Sequence, residues 1–91
     1  MPSPLPSYFE NGVEYDLVHL LSTLRYMPER HVLKAHILTL LSCALSGAQD
    51  LPHAEGMPDG AQWLYNHVRP LVLLANDAQR NEMVERLAII T

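Results

Sequence analysis

Basic side chains are the first shortage in this sequence. Six Lys and Arg face ten Asp and Glu, for a formal net charge of −4 at pH 7. The six, Arg25, Arg30, Lys34, Arg69, Arg80 and Arg86, are scattered rather than clustered. A nucleic-acid surface replaces phosphate counterions with a concentrated basic footprint, so nucleic acid is not an expected partner. A small DNA-binding regulator survives only as an alternative, because Met27-Pro28 separates two helical patterns and Glu29, Arg30, His31 and Lys34 open the second. The turns that follow Lys34 are too apolar to lie in a groove.

Cysteine is also short. Cys43 stands alone, which excludes an intramolecular disulfide and points to a reducing compartment. No apolar run reaches the roughly 20 residues that span a bilayer; the longest is interrupted by His36, Thr39 and Ser42. The first residues, MPSPLPSYFENG, carry neither a basic nor an apolar signal region. The expectation is a cytoplasmic protein with no membrane partner.

Motifs for chemistry are missing as well. The glycines number four and form no phosphate-cradling loop. Five histidines raise the question of a metal, but His31 and His36 lie about 140° apart on a helix. That is not the i, i+4 pair of a zinc site. His19, His53 and His67 lack Cys, Asp or Glu at ligand spacing. Cys43 sits mid-helix among apolar residues, which disfavour the reactive thiolate. Ser42 and Ser46 are in helical rather than strained-turn surroundings. No catalytic residue, metal or cofactor is therefore expected.

What is present is helical periodicity. Ninety-one residues allow one domain, and 48% apolar with only 18% charged is a mild argument for an extra buried interface. The chain is organised around Pro28–Gly47, PERHVLKAHILTLLSCALSG, which holds no charged residue from Ala35 to Gln49. On a helix, Leu33, Ile37, Leu38, Leu40, Leu41, Ala44 and Leu45 cover an arc of about 160°. The other arc holds Ala35, His36, Thr39, Ser42, Cys43 and Ser46, small or mildly polar side chains where a surface helix normally carries charge. These six are the expected contact surface of a homodimer.

Read in order, residues 1–12 are an extended proline-rich arm with Leu5, Tyr8 and Phe9 as possible anchors. A single helical domain follows over 13–91, with helices over about 13–26, 28–46, 60–75 and 78–90. The fold class is all-α, a small bundle of four helices with an antiparallel helical hairpin around the central helix 28–46. Tyr15, His19, Ser22 and Tyr26 form the outer stripe of the first helix at i, i+4, i+7 and i+11. Ala48–Asp59 is a loop long enough to be mobile or functional. Asp59 caps the third helix, Pro70 kinks or divides it, and Asn76-Asp77 caps the fourth.

A second stripe on the third helix, Trp63, His67, Pro70 and Leu74, carries the one tryptophan of the chain, the residue type most enriched at interface hot spots. With Tyr15, His19 and Tyr26 these residues are the candidate partner-binding surface. The reading is a non-enzymatic regulatory module that binds and occludes a protein partner as a homodimer, in the manner of an anti-activator or a small chaperone-like adaptor. A small-ligand-binding helical bundle is a further alternative.

Overall fold

A computed structural model describes residues 5–91. In chain order the elements are β1 (Ser7–Glu10), β2 (Val13–Asp16), α1 (Leu17–Leu24), α2 (Arg30–Leu45), α3 (Asp59–Leu74) and α4 (Asp77–Ile89). Four helices and a mostly helical chain agree with the expectation. The two-stranded sheet does not.

The sheet replaces both the extended arm and the first turn of the expected first helix. β1 and β2 pair antiparallel with Ser7 opposite Asp16, Tyr8 opposite Tyr15, Phe9 opposite Glu14 and Glu10 opposite Val13. Asn11 (φ 52°) and Gly12 (φ 79°) make the two-residue turn. Positive φ at both positions gives a turn whose twist matches that of the strands it joins, and Asn-Gly adopts it at little cost. Within the arm, Leu5 is buried and the Pro6 carbonyl accepts from Leu17 N–H at 3.3 Å. Pro2 and Pro4 lie outside the described residues. Val13, assigned above to a helix, is an exposed strand residue.

Asp16 ends the hairpin and caps α1, its Oδ1 accepting from Val18 N–H at 2.7 Å. Leu17, Leu20, Leu21 and Leu24 supply the buried stripe of this short helix. Two turns then join α1 to α2, with Met27 N–H bonded to Leu24 O and Arg30 N–H to Met27 O, and Pro28 disfavours helical geometry at Met27 between them. Along α2, Leu33, Ile37, Leu40, Leu41 and Ala44 are buried. The helix closes at Gly47 (φ 85°): Gly47 N–H donates to Ala44 O and Ala48 N–H to Cys43 O, each at 3.1 Å. This pair of bonds is the Schellman arrangement that glycine at this position permits.

α2 borders all three other helices and is central, but it meets α3 and α4 far more extensively than α1. The expected hairpin of the first two helices is thus not the organising unit. With Val13–Asp16 drawn into the sheet, α1 has too little length to line α2.

The 46–58 connection is packed rather than free. Leu51, Ala54 and Met57 enter the core. Tyr65 Oη donates to Pro52 O at 2.6 Å, and Arg69 donates from Nη2 to Leu51 O at 3.0 Å and from Nε to Pro52 O at 3.3 Å. α3 starts at Asp59, so Asp59 lies in its first turn instead of at the cap. The helix also continues through Pro70 without dividing. The carbonyl that Pro70 cannot serve belongs to Asn66, an exposed residue, where water can take over the bond.

Asn76 and Gln79 form the reciprocal capping box of α4, with both bonds at 2.8 Å. Arg30 Nε and Lys34 Nζ reach from α2 to the carbonyls of Thr91 and Ile90, each at 2.8 Å, a cationic complement to a helix C-terminus. No helix among the described residues is long and apolar enough to cross a membrane.

The turn yields a direct test of the hairpin. A Cβ on Gly12 would meet nothing within 4 Å, so the cost of Gly12→Ala is that of the left-handed backbone alone. The expected loss is about 1 kcal/mol, read as a lower urea midpoint with an unchanged slope. A midpoint equal to wild type would mean that this turn is not formed.

Candidate functional site

The site grows from the two faces of the hairpin. Alternation along each strand puts Tyr8, Glu10, Val13 and Tyr15 on one face and Ser7, Phe9, Glu14 and Asp16 on the other. The first face lies on α3, whose core stripe of Ala61, Leu64, Tyr65, Val68, Leu71 and Val72 points inward. Trp63 and His67, four residues apart, therefore share a side of α3 beside that stripe. There they meet the two tyrosines.

His67 is the hub. Its ring stacks on Tyr15 with centroids 4.0 Å apart and planes 12° off parallel, and Trp63 packs against it edge-on at 4.6 Å and 61°. Tyr8 stacks on Tyr15 at 5.3 Å, and Tyr15 also contacts Trp63 edge-on at 6.3 Å. The Tyr8 hydroxyl lies 2.7 Å from His67 Nδ1; with the ring proton on Nε2 the phenol donates and the imidazole accepts. Glu10 Oε2 stands 3.9 Å from the same nitrogen. The His67 side chain is only 14% exposed, whereas Trp63 is 51% exposed and Phe9, on the far face, 71%. Aromatic pairs of this geometry add about 1 kcal/mol each beyond their buried area. The arrangement clasps the hairpin to α3 and holds the Trp63 indole in one orientation with half its surface in solvent.

The structure sorts the expected partner-surface residues into three groups. Tyr15, Trp63 and His67, drawn from two separate stripes, come together. Pro70 is half-buried and Leu74 is 62% exposed, further along α3. His19 and Tyr26 are elsewhere: His19 lines an open depression with Glu14, Asp16, Val18 and Ser22, and Tyr26 lies beyond α1, 80% exposed. The predicted Tyr15, His19, Ser22, Tyr26 face does not exist, because α1 spans only Leu17–Leu24.

On α2, Ala35, His36, Thr39, Ser42 and Ser46 are exposed and Cys43 is half-buried. Two hydroxyls of that face turn back on the helix: Thr39 Oγ1 donates to Ala35 O at 3.1 Å and Ser46 Oγ to Ser42 O at 2.9 Å.

Glu10 is the member of the cluster that sequence reasoning missed, and Tyr8, expected as an anchor on an extended arm, is a strand residue of it. A signal was present: Asn-Gly is followed by VEYD, which alternates apolar and acidic residues, and preceded by the aromatic pair of SYFE, a hairpin pattern. Read as a helix start, the Asn-Gly turn hid it. Among the described residues, no group of three or more His, Cys, Asp or Glu side chains could hold a metal ion.

Two phenols are held above the usual tyrosine value. Burial is the main cause for Tyr8, with the negative charge of Glu10 and the neighbouring Tyr15 adding to it. Burial also dominates for Tyr65, where Arg69 opposes it. The folded state thus keeps these protons more tightly than the unfolded chain. Their contribution is complete below the unfolded value of 10.0 and is lost as pH rises through the folded values. Stability is expected to fall above pH 10, and Tyr8→Phe to flatten part of that fall while removing one late-ionising phenol from the absorbance titration. An alkaline profile identical to wild type would remove Tyr8 from the clasp.

The chain matches no protein-family model, no curated protein and no solved structure, so the role of the site is argued from its own residues.

Proposed function

We propose that this chain is a non-enzymatic regulatory module that binds and occludes a protein partner, acting as a homodimer. One observation carries the partner surface. Trp63 is half-exposed yet locked edge-on to His67, itself stacked on Tyr15 and bonded to Tyr8. An aromatic side chain already ordered in the free protein loses little entropy on binding, which is what makes a strong anchor. From Trp63 the apolar line continues past Pro70 to Leu74, about 16 Å along α3 at helical rise. Leu73 and Leu74 are both exposed at its end. A groove-binding amphipathic helix or an exposed apolar strip of a regulator fits such a line, and covering it would keep that segment from other contacts.

The dimer surface in this reading is the outer face of α2: Ala35, His36, Thr39, Ser42, Cys43 and Ser46. It carries no charge, and its bonded hydroxyls at Thr39 and Ser46 reduce the cost of removing it from water. Small side chains also let two helix backbones approach closely.

Both halves are testable. Sedimentation at micromolar concentration is expected to give twice the chain mass, and Thr39→Arg to give a monomer of unchanged helicity. A wild-type monomer ends the dimer reading. Trp63→Ala and Leu74→Ala are each expected to cut retention of a captured partner by about tenfold or more while the far-UV signal stays native. Undiminished retention removes the α3 strip from the interface, and lost helicity in Trp63→Ala assigns the indole to the fold itself.

A further inference from the structure

The outer edge of the hairpin offers a second surface, separate from the α3 strip. Leu17 N–H donates to Pro6 O, which sets the parity of the ladder. Pro6 and Leu17, Tyr8 and Tyr15, and Glu10 and Val13 turn their backbone groups toward each other; Ser7 and Phe9 turn theirs away from β2. The sheet has two strands, and among the described residues no backbone hydrogen bond engages the outward N–H and C=O groups of Ser7 and Phe9. β2 passes straight into α1 at Leu17, which cuts its outer edge short, so the edge considered for addition is that of β1. Its side chains add an apolar foothold: Phe9 is 71% exposed on the face turned away from α3.

Charge selects the occupant. Residues 1–24 contain Glu10, Glu14 and Asp16 and no Lys or Arg; the first base is Arg25. Glu14, opposite Phe9, shares its outward face, and Glu10 is 54% exposed. A second copy pairing edge to edge would bring two acidic hairpins together without a base between them, and facing like charges destabilise a sheet. A strand carrying Lys or Arg at alternate positions, with apolar residues between them to lie on Phe9, meets the same edge with matching charge. We propose that the β1 edge is a strand-addition site for an extended basic segment of a partner protein, bonded in the backbone to Ser7 and Phe9. Free sheet edges are the usual template for such pairing.

The test uses the full chain and a short synthetic peptide alternating Lys with Val, beside one alternating Glu with Val. The Lys peptide is expected to shift the Ser7 and Phe9 amide resonances and slow their hydrogen exchange. The Glu peptide is expected to do neither. Phe9→Pro deletes one outward N–H while leaving the bonds between β1 and β2 in place, and should weaken binding by about tenfold. Glu14→Lys should weaken it by about threefold or more and flatten its salt dependence. Leu74→Ala, on the α3 strip, should leave it unchanged.

No binding of the Lys peptide at about 1 mM overturns the proposal, as does equal binding of both peptides. Wild-type affinity in a folded Phe9→Pro variant does the same. Protection of the Ser7 and Phe9 amides that grows with protein concentration alone would assign the edge to a second copy. Should Phe9→Pro disturb the hairpin, the resonance map and Glu14→Lys decide the matter alone.

Discussion

A two-stranded hairpin buries too little to stand alone in water, and here one imidazole is the centre of its attachment to α3. His67 takes Tyr15 on its face, Trp63 on its edge and the Tyr8 hydroxyl on its nitrogen. Each contact constrains the others: the stack sets the ring plane, and the ring plane sets where the phenol must lie. With Tyr8 and Tyr15 held, β1 and β2 stay in register, Asp16 is in place to cap α1, and Leu17 begins the core. The clasp therefore reaches beyond the aromatic cluster. It leads directly into the Asp16 cap at which α1 starts.

The same clasp explains why two apolar surfaces remain outward. The hairpin rests on α3 through its tyrosine face, which leaves Phe9 on the opposite side and half of Trp63 beyond the rim. Burying either would require a further element, and among the described residues the other segments are committed elsewhere. The 46–58 connection is tied to α3 by Tyr65 and Arg69, and the end of α4 is tied to α2 by Arg30 and Lys34. Four side chains thus make five long-range bonds to backbone carbonyls. Such bonds satisfy irregular backbone that would otherwise be costly to place against a core.

α2 shows the other side of this economy. Its inner arc is closed by three helices, while the outer arc carries neither charge nor bulk. Thr39 and Ser46 donate to their own helix, so the surface is polar in composition and less so in what it offers to solvent. A core face and an uncharged outer face on one helix favour a second protein surface, and the proposed dimer supplies it.

Periodicity located the four helices, though not the start of the first. The buried residues of α2, Leu33, Ile37, Leu40, Leu41 and Ala44, and those of α3, Ala61, Leu64, Tyr65, Val68, Leu71 and Val72, all fall among those that a repeat of about 3.6 picks out, while Leu38 and Leu45, also in the α2 arc, are half-buried at its margins. Gly47 and Asn76 marked helix ends because their capping chemistry is local. What depended on distant residues could not be read this way. Val13 and Leu17 fit one helical stripe on paper and Tyr15 the opposite one; the local sign of a strand was the Asn-Gly turn, and the stacking of Tyr8 and Tyr15 with His67, over fifty residues later, is what the sequence did not display. The cluster likewise joined Tyr15 to Trp63 and His67 across two stripes that look unrelated in the sequence. Local spacing specifies which face of an element is apolar; which element meets that face is decided by packing in three dimensions, because the partners lie far apart in the chain.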